Sequence, residues 1–137
     1  LLGLLPDVGG APVTVERALG VLFTPLAWSL GIPWPEADEA GLLLGVKMVL
    51  TEFVAYIQLA AVPAADMSER TRTIMTYALC GFANIGSIGI VVGGLGVLMP
   101  ARRKEVIDLS WRSLYAGFLA TCMTAAIVGA MPSGLFD

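Results

Sequence analysis

Glu52, Lys47, Asn84 and Ser87 are the side chains of this 137-residue chain that could do chemistry in surroundings where polarity is expensive. Glu52 and Lys47 lie in AGLLLGVKMVLTEFVAYIQLAAV, residues 40–62, and Asn84 and Ser87 in TYALCGFANIGSIGIVVGGLG, residues 76–96. An acid in the middle of an apolar span costs about 2.5–3.5 kcal/mol on insertion scales, so it persists only where it faces protein, water or a ligand. Glu52 therefore reads either as a polar-ligand or proton site or as a structural partner of Lys47 or the backbone. The two are five residues apart, about 500° of rotation on an unbroken helix, and do not stack as an ion pair unless the helix breaks between them. Tyr56 and Gln58 extend this polar surface weakly.

Other chemistries lack material. Histidine is absent, and Cys80 and Cys122 stand in apolar context without a CxxC spacing. No metal site, Cys–His pair or nucleophile–base pair is visible, which argues against an enzyme and against any cofactor. Both cysteines are expected as small buried side chains.

The elements that must hold these residues belong to a membrane. The chain is 57% hydrophobic and 14% charged, against roughly 25% charged in soluble domains. Residues 18–35, 53–65, 73–101 and 113–136 carry no charge. There is no basic, aromatic-rich stripe of the kind nucleic-acid binders show. The chain starts at Leu1 with no basic leader, and reads as the C-terminal part of a longer polypeptide.

The expected fold class is an all-α integral membrane protein. After a Gly/Pro connector at 1–13, residues 14–34 are expected as an interfacial helix, with Thr14 as N-cap, Glu16 in the first turn, Pro25 interrupting it and Trp28 and Trp34 at the interface. The acidic PEADEA, 35–40, reads as a break. Residues 40–62 have the length of a transmembrane helix, broken if Lys47 and Glu52 are to meet, and 104–131 are expected as the closing transmembrane helix.

Between them, 68–100 reads as a re-entrant helical hairpin. Gly81, Gly86, Gly89, Gly93, Gly94 and Gly96 make a poor continuous helix, and Arg70 and Arg72 precede the run while Arg102, Arg103 and Lys104 follow it. Basic residues favour the cytoplasmic side, so both ends are placed there, with the 35–40 loop and the C-terminus outside. Irregular backbone at membrane depth survives only against protein or a cavity, and transporters place substrates at such breaks. The competing reading is a tilted helix packed through the GIVVG pattern, 89–93; the basic flanks favour the hairpin.

KMVLTEFVAY (47–56) and CGFANIGSIGI (80–90) resemble the C-terminal half of the concentrative nucleoside transporter family, and the similarity extends over residues 14–131. The resemblance implies cation-coupled uptake of nucleosides such as uridine across the cytoplasmic (inner) membrane, by a multi-pass symporter that assembles as a homotrimer and moves its substrate-binding part like an elevator. It implies that Glu52, Asn84 and Ser87 bind the ribose, with Phe82 at the same tip. A carboxylate can accept from both hydroxyls of a vicinal pair, which suits that role. The nucleobase contacts and the coupling cation, Na+ or H+, are implied to lie mainly in the N-terminal half, so no metal ligand is expected in this segment. Thr51 stands where many members have Asn. Two other functions fit the residues alone: a channel whose re-entrant segment lines a pore, and a non-transporting assembly subunit in which Glu52 and Lys47 only join helices.

Overall fold

A computed structural model describes residues 15–132. The connector 1–13, the Thr14 cap and the side chain of Glu16 lie outside the described residues. The elements are α1 (Val15–Ser29), α2 (Trp34–Val49), α3 (Glu52–Ala61), α4 (Glu69–Leu79), α5 (Ile85–Leu98) and α6 (Arg103–Ala130), with a 3-10 turn, Pro100–Arg102, leading into the last. The all-helical expectation holds for the described residues.

The helix starts are written in the sequence. Thr51 caps α3, its hydroxyl accepting from Val54 N–H at 3.3 Å, and Ser68 caps α4 by accepting from Thr71 N–H at 3.3 Å. Thr and Asn both serve as N-caps, so Thr51 preserves what Asn would do at that turn. The acidic 35–40 segment is not a break. It forms the first turns of α2, where Pro35 and Glu36 suit a helix N-terminus. Pro25 stays inside α1 rather than ending it.

Residues 40–62 are broken between Lys47 and Glu52, and the break turns the chain back on itself. α2 and α3 meet at Leu50–Thr51 and diverge little. Glu36 and Asp38 of α2 line one cleft with Gln58 and Ala61 of α3 and with its cap Val62, so the end of α3 lies beside the start of α2. Glu36 Oε2 accepts from Ser68 N–H at 3.1 Å and from its hydroxyl at 3.0 Å, closing the base of the hairpin.

The glycine-rich segment does the opposite. Arg70 of α4 donates to the Gly129 carbonyl of α6, Gly81 lies against Thr121, Ala83 against Gly117, and Gly96 against Arg103. The contacts descend α6 without reversal. α4 and α5 are therefore two half-helices in succession, antiparallel to α6 along its length, separated by the break at 80–84. The hairpin expected at 68–100 is in the chain at 34–62 instead, and the broken through-running element is 69–98. Arg70 and Arg72 are held at helix C-termini within the fold, at the opposite end of α6 from Arg102–Lys104, so the two basic flanks do not lie together.

α1 runs antiparallel to α2. Gly41 makes their contact possible, because a Cβ there would sit 2.6 Å from Gly20 O and 2.8 Å from Thr24 N. Phe23 meets Phe118 at 5.2 Å between ring centroids, and Gly31, at φ +95°, meets Gly129, so α1 also follows the C-terminal half of α6. The shared core contains Leu43, Leu44, Ile74, Met75, Leu79 and Phe118.

Candidate functional site

The two breaks face each other. At the hairpin tip, Glu52 is the first residue of α3; at the second break, Asn84 is the N-cap of α5. Asn84 Nδ2 donates to Glu52 Oε2 at 3.3 Å across 32 positions of sequence. Two half-helix N-termini thus converge on one carboxylate, and their unpaired N–H groups and dipoles favour anions and hydroxyl oxygens there.

Asn84 is held by its own turn. Its Oδ1 accepts from Ser87 N–H at 2.8 Å, the Ser87 hydroxyl donates to Asn84 O at 2.6 Å, and Asn84 N–H points to Ser87 Oγ at 3.4 Å. This reciprocal cap fixes the amide so that only its NH2 group is free for Glu52 or a ligand. Asn84 is 1% exposed and Ser87 is buried, whereas Glu52 is half-buried and Phe82 is 60% exposed. Glu52, Asn84 and Ser87 are brought together; Phe82 lies at the same break, on the wall of a groove of about 550 Å³ between α5 and α6 that also reaches Ser87.

Lys47 does not pair with Glu52. Its Nζ donates to Ala78 O at 2.8 Å and to Thr121 Oγ1 at 3.0 Å, with the Phe118 ring centroid 5.6 Å away. The side chain is 0% exposed. Arg72 donates to Leu59 O at 3.0 Å and to Val62 O, and Arg70 to Gly129 O. Each of these three cations thus meets carbonyls at a helix C-terminus, the end that carries partial negative charge: α4 for Lys47, α3 for Arg72, α6 for Arg70. Sequence reasoning missed the partners of all three, and Thr121 with them, because each partner is distant in the chain. The signal available was a Lys within an apolar and glycine run, residues 40–50, with no acid at helical spacing inside that run.

Tyr56 turns away from the site and donates to Thr76 O at 2.6 Å, and Gln58 lines the open end of the hairpin. Cys122 is buried as expected; Cys80 is exposed at the second break, because it caps α4 where the helix stops covering its own side chains. Among the described residues there is no cluster of metal-ligating side chains.

A family model described as "Na+ dependent nucleoside transporter C-terminus" matches residues 1–129. The chain is 44% identical over 115 residues to the nucleoside permease NupC of Helicobacter pylori, covering 81% of this chain and 28% of that protein. It is similar to the solved structure of CNTnw in an inward-facing substrate-bound state, with 47% identity and a TM-score of 0.77 over 88% of this chain and 30% of that one. A doubly substituted CNTnw in an outward-facing state gives 46% identity and a TM-score of 0.77 over 88% of this chain and 30% of that one. The chain spans about 30% of the length of these relatives.

Proposed function

From the premise that this chain belongs to the concentrative, Na+-dependent nucleoside transporter family, a transporter and not an enzyme family, we propose that it supplies the ribose-binding half of a nucleoside site in a secondary active transporter. The observation that carries this is the Asn84–Glu52 contact at 3.3 Å between two opposed helix breaks. A ribose offers two adjacent hydroxyls. Glu52 accepts from both, the free Asn84 NH2 donates to one of their oxygens, and Ser87 holds Asn84 in place while lining the same groove as Phe82, which gives the sugar an apolar wall.

The packing supports the following membrane arrangement. α6 belongs to the one described helical segment, Pro100–Ala130, long and apolar enough to cross a bilayer. With α4 and α5 beside it over its length, the pair crosses as a broken span, and α2–α3 enters from the α4 side as a re-entrant hairpin whose tip meets the break at mid-depth. α1, alongside α2 and α6, is inclined into the bilayer with them, in place of an interfacial position. Arg102–Lys104 then lie in the cytoplasm and the C-terminus outside, in an inner membrane for a bacterial protein.

The complete protein couples nucleoside uptake to a cation; the Na+ in the family description supports Na+ over H+, and the ion is held mainly by the part of the transporter beyond this chain. It assembles as a homotrimer in lipid, with this chain in the moving, elevator-like unit. The joining of tip, break and α6 through Lys47, Arg70 and Arg72 supports movement of these elements as one body.

The test is uridine uptake by the complete protein in proteoliposomes under separate Na+ and pH gradients. Glu52→Gln is expected to reduce uptake to background with the folded protein retained. Uptake at the parental rate rejects the ribose role.

A further inference from the structure

The second break has two ends of opposite polarity, and only one faces Glu52. The N-terminus of α5 presents Asn84. The C-terminus of α4 presents carbonyls, the kind of end where discontinuous transporter helices hold coupling cations. Here that end is met by a side chain from another element, Lys47 at 2.8 Å from Ala78 O. We propose that Lys47 is a positioning residue for substrate binding: its ammonium is a tethered cation that locks the hairpin tip to the α4–α5 break and so sets the separation of Glu52 and Asn84.

The geometry supports this at three points. The ammonium joins α2, α4 and α6 at once, through Ala78 O and Thr121 Oγ1, under complete burial. It lies directly beside the break, since a Cβ on Gly81 would be 3.8 Å from Nζ and 2.6 Å from Thr121 Cγ2. And it sits in the last turn of α2, so any shift of Lys47 is transmitted through Leu50–Thr51 to Glu52. Among the described residues no carboxylate forms a salt bridge with it. A buried charge without a counter-ion is strongly disfavoured unless dipoles replace the lost water, and the α4 carbonyl end, the Thr121 hydroxyl and the Phe118 face do so. That is an arrangement for holding a cation at a helix end, not an ion pair.

This proposal rests on the ribose reading, and one experiment separates the two. Equilibrium binding of uridine is measured on the purified complete transporter, with folding followed by size-exclusion profile and thermal unfolding. Glu52→Gln, Lys47→Met, Lys47→Ala and Thr121→Val are compared. Lys47→Met is expected to weaken uridine binding by about tenfold or more, the loss of one buried charged hydrogen-bond partner. Thr121→Val, which keeps the ammonium and its Ala78 bond, is expected to weaken it about two- to fivefold. In Lys47→Ala, methylammonium is expected to restore part of the affinity in a saturable way, which a purely structural defect does not show. Parental affinity in folded Lys47→Met, or no rescue by methylammonium in folded Lys47→Ala, overturns the positioning role. If the Lys47 variants do not fold, unchanged affinity in Thr121→Val overturns it. Parental affinity in Glu52→Gln rejects the ribose reading itself, whatever Lys47 does.

Discussion

Asn84 has two duties that can be separated. It caps α5 through Oδ1 and addresses Glu52 through Nδ2. Asp is as good an N-cap as Asn, but the Asn84→Asp substitution puts a second carboxylate where the amide now donates to Glu52. In the complete transporter, Asn84→Asp is expected to leave the unfolding temperature within a few degrees while uridine affinity falls by about tenfold or more, the size of a lost charged hydrogen bond plus like-charge repulsion. Asn84→Ala is expected to lower both, through loss of a cap worth about 1 kcal/mol. Parental uridine affinity in Asn84→Asp, with only Asn84→Ala impaired, would show that capping alone explains Asn84. At this scale the sequence is most legible for polar groups stranded among apolar ones: Glu52, Asn84 and Ser87 stand out and meet in space. Lys47 stands out too, but its partners, Ala78 O and Thr121, are 31 and 74 positions away, and no local pattern encodes such a pairing.

Between elements, glycine marks close approach at some positions and nothing among the described residues at others. A Cβ on Gly41 would meet Gly20 O and Thr24 N, backbone atoms that cannot swing aside, whereas Gly89 and Gly93 have no atom of the described residues, beyond their chain neighbours and their own helix backbone, within 4 Å of such a Cβ. Gly41→Ala is therefore expected to destabilise the folded transporter by about 1–3 kcal/mol, the range of overpacking, read as a lowered unfolding temperature on purified protein. An unchanged temperature would mean that α1 and α2 separate freely. The contrast explains why sequence alone points the hairpin at the wrong segment. Glycine density draws the expected turn to 68–100, but the turn that reverses the chain is Leu50–Thr51, which has neither Gly nor Pro and is marked only by the Thr51 cap. The 80–84 break, rich in turn residues, merely interrupts a chain that continues in its direction. Elements and their ends are readable; whether a break folds back depends on what each half-helix packs against, and α6 decides that for α4 and α5.

At the scale of the whole molecule, that packing bears on which side of the membrane each end of α4–α5 is proposed to face. α4 begins at the Gly129 end of α6 and α5 finishes at the Arg103 end, so in the membrane arrangement we propose the chain changes sides between residues 66 and 104. The positive-charge rule applies to basic residues free to face the cytoplasm, and Arg70 and Arg72 are engaged with carbonyls of α6 and α3. Arg102–Lys104 are the cytoplasmic marker in the proposed arrangement. Asp66 and Lys104 are both exposed and outside the core contacts, which makes them suitable reporters. In the complete transporter with Cys80 and Cys122 replaced by serine and alanine, a membrane-impermeant maleimide added to intact cells is expected to label Asp66→Cys and not Lys104→Cys. Inverted vesicles are expected to give the converse. Labelling of both from one side would place the two ends of α4–α5 together, restore a hairpin at 68–100, and remove the opposed breaks on which the Glu52–Asn84 site depends.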